Sequence, residues 1–338
     1  MKALIIEKPG KVTIRETDMP RPGQGEALLK MKYGGICGSD LNSYRGTSSY
    51  VSYPRIPGHE FSAEIVEIEK NDAGLKPGMV VTGNPYFNCG TCYSCRRGLV
   101  NCCTTNQTMG VQREGAFSEY ITMPINRLYE GKGLDAKTLA LIEPFCISYH
   151  GIGHADIQKG ERVLIVGAGT IGVLAALAAR LRGGRVWMTD ISAQKLALAE
   201  RFGIEGTFVN ADPGAFEAGV GKAAGGDGFD VTIEAVGLPS TFQNCIDAAA
   251  FGGRVVLIGV GKKNLDFNFT LLQKKELHVS GSRNALKKDF LDLIDRVQTN
   301  RIPLADIITS AYAFDDGVQA FADFDKNAAS MLKVVLEF

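Results

Sequence analysis

A chain of 338 residues is longer than one hydrophobic core usually serves, so two domains are expected. Lys+Arg and Asp+Glu both number 37, and a formal net charge of zero speaks against nucleic acid, a membrane surface or a highly charged polymer as partner. Hydrophobic content is ordinary for a soluble protein, MKALIIEKPG has no signal-peptide core, and no apolar run could span a bilayer, so a cytoplasmic protein is expected. Its eight cysteines then point to metal ligands or reactive thiols more than to disulfides.

The first ~140 residues read mostly as strands: VTIRE, ALLKMKY and AEIVEIEK alternate apolar and polar at period two, between turns such as PRPGQGE and LKPGMV. Within them, GGICGSDLNSYRG holds a lone cysteine, Cys37, followed by Ser39, Asp40 and Asn42, and IPGHEF offers His59 and Glu60. Further on, NCGTCYSCRRGLVNCC places Cys89, Cys92, Cys95 and Cys103 at the spacing C-x₂-C-x₂-C-x₇-C. Close pairs in a turn let several thiolates converge, and four sulfurs make a closed structural zinc site. An iron–sulfur cluster is the alternative, but the last spacing suits it less and no proline follows the final cysteine. A redox Cys-x-x-Cys needs only two thiols. A zinc ribbon that reads nucleic acid would need a recognition helix or aromatic platform, which this segment lacks. Cys102 is the spare, because adjacent side chains diverge.

After Glu143, in LIEPF, the texture changes to alternating strands and helices. RVLIVGAG, RVWMTD, GTFVN, FDVTIEAVG, RVVLIGVG and ELHVSGS read as strands; TIGVLAALAARLRGG, SAQKLALAERFG, a stretch near 212–224 and PSTFQNCIDAAAFGG read as helices. That order implies a parallel sheet covered on both faces. The tail adds an amphipathic helix (LKKDFLDLIDRV), a second helix (DGVQAFADF) and a strand, MLKVVLEF, that is expected to return to the first domain. In GAGTIG, Gly167, Gly169 and Gly172 follow a strand and open a helix, and the next strand ends in Asp190. This context makes the glycine pattern a dinucleotide site: tight turn, close approach to a pyrophosphate, close helix packing. Asp190 can accept the ribose hydroxyls and repel a 2′-phosphate, which favours NAD over NADP.

Taken together, Gly-x-Cys-Gly-Ser-Asp, Gly-His-Glu, the four-cysteine lobe, Glu-Pro and GAGTIG resemble the zinc-dependent medium-chain dehydrogenases over essentially the whole chain. Glutamate rather than cysteine at Glu143 resembles the polyol (sorbitol), threonine and sugar-acid dehydrogenase branch. GSRNA followed by Asp289 and Phe290 looks most like bacterial sugar-acid oxidoreductases of the L-galactonate 5-dehydrogenase type.

The resemblance implies an α/β protein. A GroES-like β domain (1–144 and 284–338), with a structural zinc lobe near 88–104, would accompany a Rossmann domain (145–283). It implies two zinc ions per chain. Cys37, His59 and Glu143, with Glu60 adjacent, would hold the catalytic ion, and Cys89, Cys92, Cys95 and Cys103 the structural one. Ser39 would take the alcohol proton, and Asp40 would orient His59. Gly167, Gly169, Thr170, Ile171, Gly172, Asp190, Lys195, Ala235, Gly259, Val260 and Ser282 would bind NAD, with Arg283 and Asn284 toward substrate. The expected reaction is reversible NAD-dependent oxidation of a secondary alcohol on a small-molecule sugar acid or polyol by a homo-oligomer, dimer or tetramer. L-threonine or 2,3-butanediol oxidation is an alternative, and a non-catalytic zinc- and NAD-binding sensor or structural protein is another. Asn42 departs from the pattern: relatives often carry a histidine there to end a proton relay, and an amide cannot act as a base near neutral pH. The relay would then end in water or Glu60, or Asn42 is a turn residue.

Overall fold

The computed structural model of the chain describes residues 1–261 and 263–338. It divides into two units, Met1–Glu143 with Ala285–Phe338, and Pro144–Asn284.

The first unit is built on a sheet of seven strands. Along its main path run Ile308–Ala313, Lys333–Glu337, Glu26–Ile36, Glu60–Ile68, Val80–Gly83 and Leu128–Glu130, with Tyr120–Pro124 also pairing Glu26–Ile36. The period-two pattern of ALLKMKY is realised directly: Ala27, Leu29 and Met31 are buried in one apolar cluster with Phe61, Ala63 and Ile65 of the neighbouring strand. The last strand does return to this sheet, antiparallel to Glu26–Ile36, with Val334 opposite Ile36 and Val335 opposite Gly35. Gly35 also faces Glu60 across the other neighbour. Three strands therefore bring Gly35, Glu60 and Lys333 to one end of the sheet. Glycine at 35 is a steric requirement, since a Cβ there would lie 2.1 Å from Glu60 Oε2.

The second unit is a six-stranded all-parallel sheet in the order Gly206–Val209, Arg185–Asp190, Arg162–Val166, Phe229–Glu234, Ala249–Leu257, His278–Gly281. The strand order turns back on either side of Arg162–Val166, which is where open sheets of this kind bind ligands, at the carboxyl ends of the strands. One segment differs from the sequence expectation. The alanines and glycines after Asp247 do not prolong the helix Pro239–Ala248; Ala249 already begins the strand that pairs with Phe229–Glu234. Strand pairing outweighs the local helix preference of Ala249 and Ala250. Glu143 lies in the first turn of a helix, Ile142–Gly153, which the alternation of strands and helices did not reveal. Pro144 is tolerated there because a first-turn N–H has no helical partner to lose.

Candidate active site

Cys37 ends the strand Glu26–Ile36 and caps the helix Gly38–Tyr44. Asp40, three residues on, reaches back: its Oδ2 accepts from Cys37 N at 2.9 Å, and its Oδ1 accepts from Gly58 N at 3.1 Å. One buried carboxylate thus fixes both segments that carry Cys37 and His59. Gly58 has φ +98°, and a Cβ would meet the Phe117 ring at 2.5 Å, so glycine alone delivers His59 to this place. His59 Nδ1 lies 3.8 Å from Asp40 Oδ1 and has no hydrogen-bond partner among the described residues, while Nε2 is 3.5 Å from Ser39 Oγ. The candidate ligand atoms of Cys37, His59 and Glu60 lie within 4.8 Å of one another.

Glu143 stands outside that group, and its Oε1 accepts a short hydrogen bond from the Tyr86 hydroxyl. Glu60 is not a free base: Lys333 Nζ lies 2.7 Å and 2.5 Å from its two oxygens and 3.4 Å from the Ile36 carbonyl. Asn42 turns to the loop, where Thr47 Oγ1 donates to its side chain at 3.2 Å. This is turn-residue behaviour.

The electrostatics of the cluster are lopsided. Asp40, Glu60 and Glu143 are each 1% exposed, and among the described residues Lys333 is the one buried lysine or arginine. Burial, then the nearby Glu60 charge, pushes the Glu143 carboxyl up to about 7. Burial disfavours a charged His59, but Asp40, Cys37 and Glu143 outweigh it and hold the imidazole well above its ordinary range. A half-buried thiol thus meets a buried imidazole and buried carboxylates where acids outnumber bases. A divalent cation fits this donor set.

The second candidate centre is the lobe. Cys89, Cys92, Cys95 and Cys103 bring their sulfurs within 4.8 Å of one another, while Cys102 is exposed and lies outside the group. Backbone amides prepare the sulfurs: Cys92 N donates to Cys89 Sγ and Cys89 N to Cys103 Sγ, both at 3.3 Å. Hydrogen bonds from Thr91 and Cys92 hold the Cys89 thiol down to about 5, and those from Thr104 and Cys95 hold Cys92 down to about 7; burial pushes Cys95 up to about 11. Two of the four are therefore thiolate-prone near neutral pH, which suits metal binding.

In the second unit the glycine turn has the shape the motif requires. Gly167 has φ +109°, a Cβ on Gly172 would lie 1.8 Å from the Gly167 carbonyl oxygen, and a Cβ on Gly169 would meet nothing within 4 Å. That open face, at a helix N-terminus (Thr170–Leu181) without a side-chain cap, could receive a phosphate. Thr170 and Ile171 open the helix. Asp190 receives Ala168 N at 2.7 Å and Ser192 N at 2.8 Å, so its carboxylate is fixed beside the turn. Lys195 lies on the helix Ala193–Glu200 that follows. Ala235 follows Glu234, whose Oε1 accepts from Val236 N, Gly237 N and the Thr241 hydroxyl. Gly259 packs there, 2.3 Å from Gly237 N by its would-be Cβ, and Val260 is exposed beside it. Ser282, Arg283 and Asn284 follow the edge strand, Ser282 N donating to the Leu257 carbonyl at 2.8 Å.

Residues 23–132 match the family described as alcohol dehydrogenase GroES-like domain, and residues 170–299 the family described as zinc-binding dehydrogenase. The chain is 35% identical over 339 residues to the L-galactonate-5-dehydrogenase of Escherichia coli K12, covering 100% of this chain and 99% of that one. It belongs to the zinc-binding alcohol dehydrogenase family. Two solved structures are also similar to this dehydrogenase. A short chain alcohol dehydrogenase from E. coli CFT073, complexed with NADH, gives a TM-score of 0.92 at 30% identity, covering 100% of this chain and 99% of that one. A zinc-binding dehydrogenase of Sinorhizobium meliloti 1021 bound to NADP gives 0.90 at 31%, with coverage of 100% and 99%.

Three residues of this dehydrogenase escaped the sequence reading: Lys333, Tyr86 and Glu234. Glu234 carried a usable signal, an acid ending a buried strand just before a Val-Gly turn. Lys333 and Tyr86 carried none, because their partners lie 273 and 57 residues away. No helix of the described residues is long and apolar enough to cross a membrane.

Proposed function

We propose that this dehydrogenase oxidises a secondary alcohol on a sugar acid or polyol to the ketone, reversibly, using NAD and two zinc ions per chain. The observation that carries the reading is the half-buried Cys37 beside the buried His59, Glu60 and Glu143, a set rich in acid and served by a single buried lysine. Cys37, His59 and Glu143 would hold the catalytic ion, with Glu60 retained by Lys333, and the four-cysteine lobe would hold the structural ion. Bound zinc supplies Lewis acidity to an alcohol oxygen, and bound NAD supplies the hydride acceptor.

The chain's own part is to hold and move a proton. Ser39, beside His59, accepts the hydroxyl proton of the substrate and hands it to water, since Asn42 is engaged with Thr47 and Glu60 with Lys333. Asp40 keeps His59 and Cys37 in place. Gly167, Gly169, Thr170, Ile171 and Gly172 cradle the pyrophosphate; Asp190 and Lys195 hold the adenosine ribose; Ala235, Gly259, Val260 and Ser282 border the remainder. The homo-oligomer is part of the same reading, supported by the unpaired edge of His278–Gly281 with Val279 and Phe251 exposed.

Asp190→Ala should relax the cofactor preference, raising kcat/KM with NADP while lowering it with NAD. Unaltered protein that used both cofactors equally well would sink this role for Asp190. The sugar-acid assignment draws on the relative that acts as an L-galactonate dehydrogenase and on Arg283, exposed after the edge strand. A guanidinium can grip a carboxylate by two hydrogen bonds, worth about 1.5–3 kcal/mol when charge-assisted. Arg283→Ala should therefore raise KM for a sugar acid about 10–100-fold and leave a neutral polyol nearly unchanged; equal losses on both would contradict it. The class itself is tested by assaying sugar acids, polyols and amino alcohols with NAD. Preference for a sugar acid or polyol supports the reading, and turnover confined to L-threonine overturns it.

A further inference from the structure

Tyr86 is fixed from several sides before its hydroxyl reaches Glu143. The short strand Tyr86–Phe87 pairs with Gln107–Thr108, and Tyr86 N donates to Asn84 Oδ1 at 2.9 Å. The Tyr86 carbonyl accepts from Arg127 Nη1, and Arg127 Nη2 donates to Asn88 Oδ1 at 3.0 Å. The guanidinium also sits 4.5 Å from the Phe87 ring centroid. Asn88 directs its Nδ2 at Cys95 Sγ, 3.8 Å away, and Cys89 follows it in the chain. A continuous set of contacts therefore runs from the four-cysteine lobe, through Asn88 and Arg127, to Tyr86 and Glu143. The hydroxyl bonds one oxygen of a buried carboxylate, which leaves the other with a defined direction.

We infer that Tyr86 is a positioning residue: its hydroxyl aims the Glu143 carboxylate at the catalytic metal, and its backbone anchors that aim in the four-cysteine lobe. The inference rests on the reading of Glu143 as a ligand. It also gives the lobe a task beyond stability, because the segment entering it carries the group that orients a ligand of the other centre. Groups bonded to metal ligands typically change metal affinity 10–100-fold when removed.

Tyr86→Phe deletes one oxygen and keeps the ring. The purified enzyme and its Tyr86→Phe and Glu143→Gln variants would be titrated with a zinc chelator, and cobalt would be exchanged into the weaker site for its visible spectrum. Expected for Tyr86→Phe is one zinc per chain bound about 10–100-fold more weakly, an altered cobalt spectrum, and the second zinc retained. Glu143→Gln should weaken the same zinc at least as much. If Glu143→Gln weakens the metal and Tyr86→Phe changes neither affinity nor spectrum, the positioning role is overturned while the ligand assignment stands. If Glu143→Gln leaves both zinc ions and the spectrum intact, the ligand assignment itself fails, and the inference with it. Loss of the lobe's zinc in Tyr86→Phe would also overturn it, by showing a general structural role.

Discussion

Lys333→Met is expected to destabilise the protein by about 3–5 kcal/mol, the usual cost of removing one partner from a buried ion pair. The ammonium sits against both oxygens of Glu60 with neither group reaching solvent, the side chains being 3% and 1% exposed. Methionine fills much the same space, so packing is largely conserved and the loss is electrostatic. What remains is a carboxylate in a region that already holds Asp40 and Glu143. Adding Glu60→Gln should therefore recover much of the loss, because the double variant leaves no stranded charge; pairs in direct contact are where additivity fails. Denaturant unfolding of the two single variants and the double variant measures this. A Lys333→Met shift under about 1 kcal/mol, or a double variant no more stable than Lys333→Met, would show that the pair does not matter to the fold.

Cys92→Ser is expected to remove one zinc per chain and to cost about 4–5 kcal/mol or more, the range reached when a bound metal is lost. Cys92 caps the helix Tyr93–Arg96, and its amide donates to Cys89, so the thiolate belongs both to the metal set and to the turn that forms it. Cys102→Ser is the control: this thiol is exposed and outside the set, so zinc content and unfolding should not change. Equal zinc content in Cys92→Ser and the unaltered protein would refute the structural site. If Tyr86 links the lobe to Glu143, Cys92→Ser should also loosen the remaining zinc.

What the sequence disclosed is what depends on neighbours in the chain. GAGTIG announces its own turn: Gly167 and Gly172 answer steric demands within a few residues or from the next loop, and Gly169 leaves the face of the turn open. The cysteine spacing works likewise: four sulfurs in fifteen residues can hardly avoid one another, and the divergence of adjacent side chains singles out Cys103 over Cys102. Cys37 and His59 were legible only in combination, as a lone cysteine and a Gly-His-Glu ahead of Glu143 and the glycine turn; the crowding that requires Gly35 and Gly58 beside them is visible only in the fold. Lys333 was illegible. In MLKVVLEF a lysine at the start of a strand reads as a solvent-facing residue, and only the register Val335 opposite Gly35 opposite Glu60 carries it inward. Ala249 was misread for a related reason: helix propensity is local, whereas the pairing that overrides it comes from Phe229–Glu234.

The most direct measurement of the central claim is zinc content and NADH formation, recorded together on the unaltered protein and on Cys37→Ser. The account predicts two zinc ions per chain and alcohol-dependent NADH formation in the first. In the second it predicts about one zinc, a fold that unfolds at nearly the same denaturant concentration, and turnover lowered at least a thousandfold, roughly 4 kcal/mol of transition-state stabilisation. Full turnover by Cys37→Ser, or full turnover by protein holding one zinc or fewer, would contradict it.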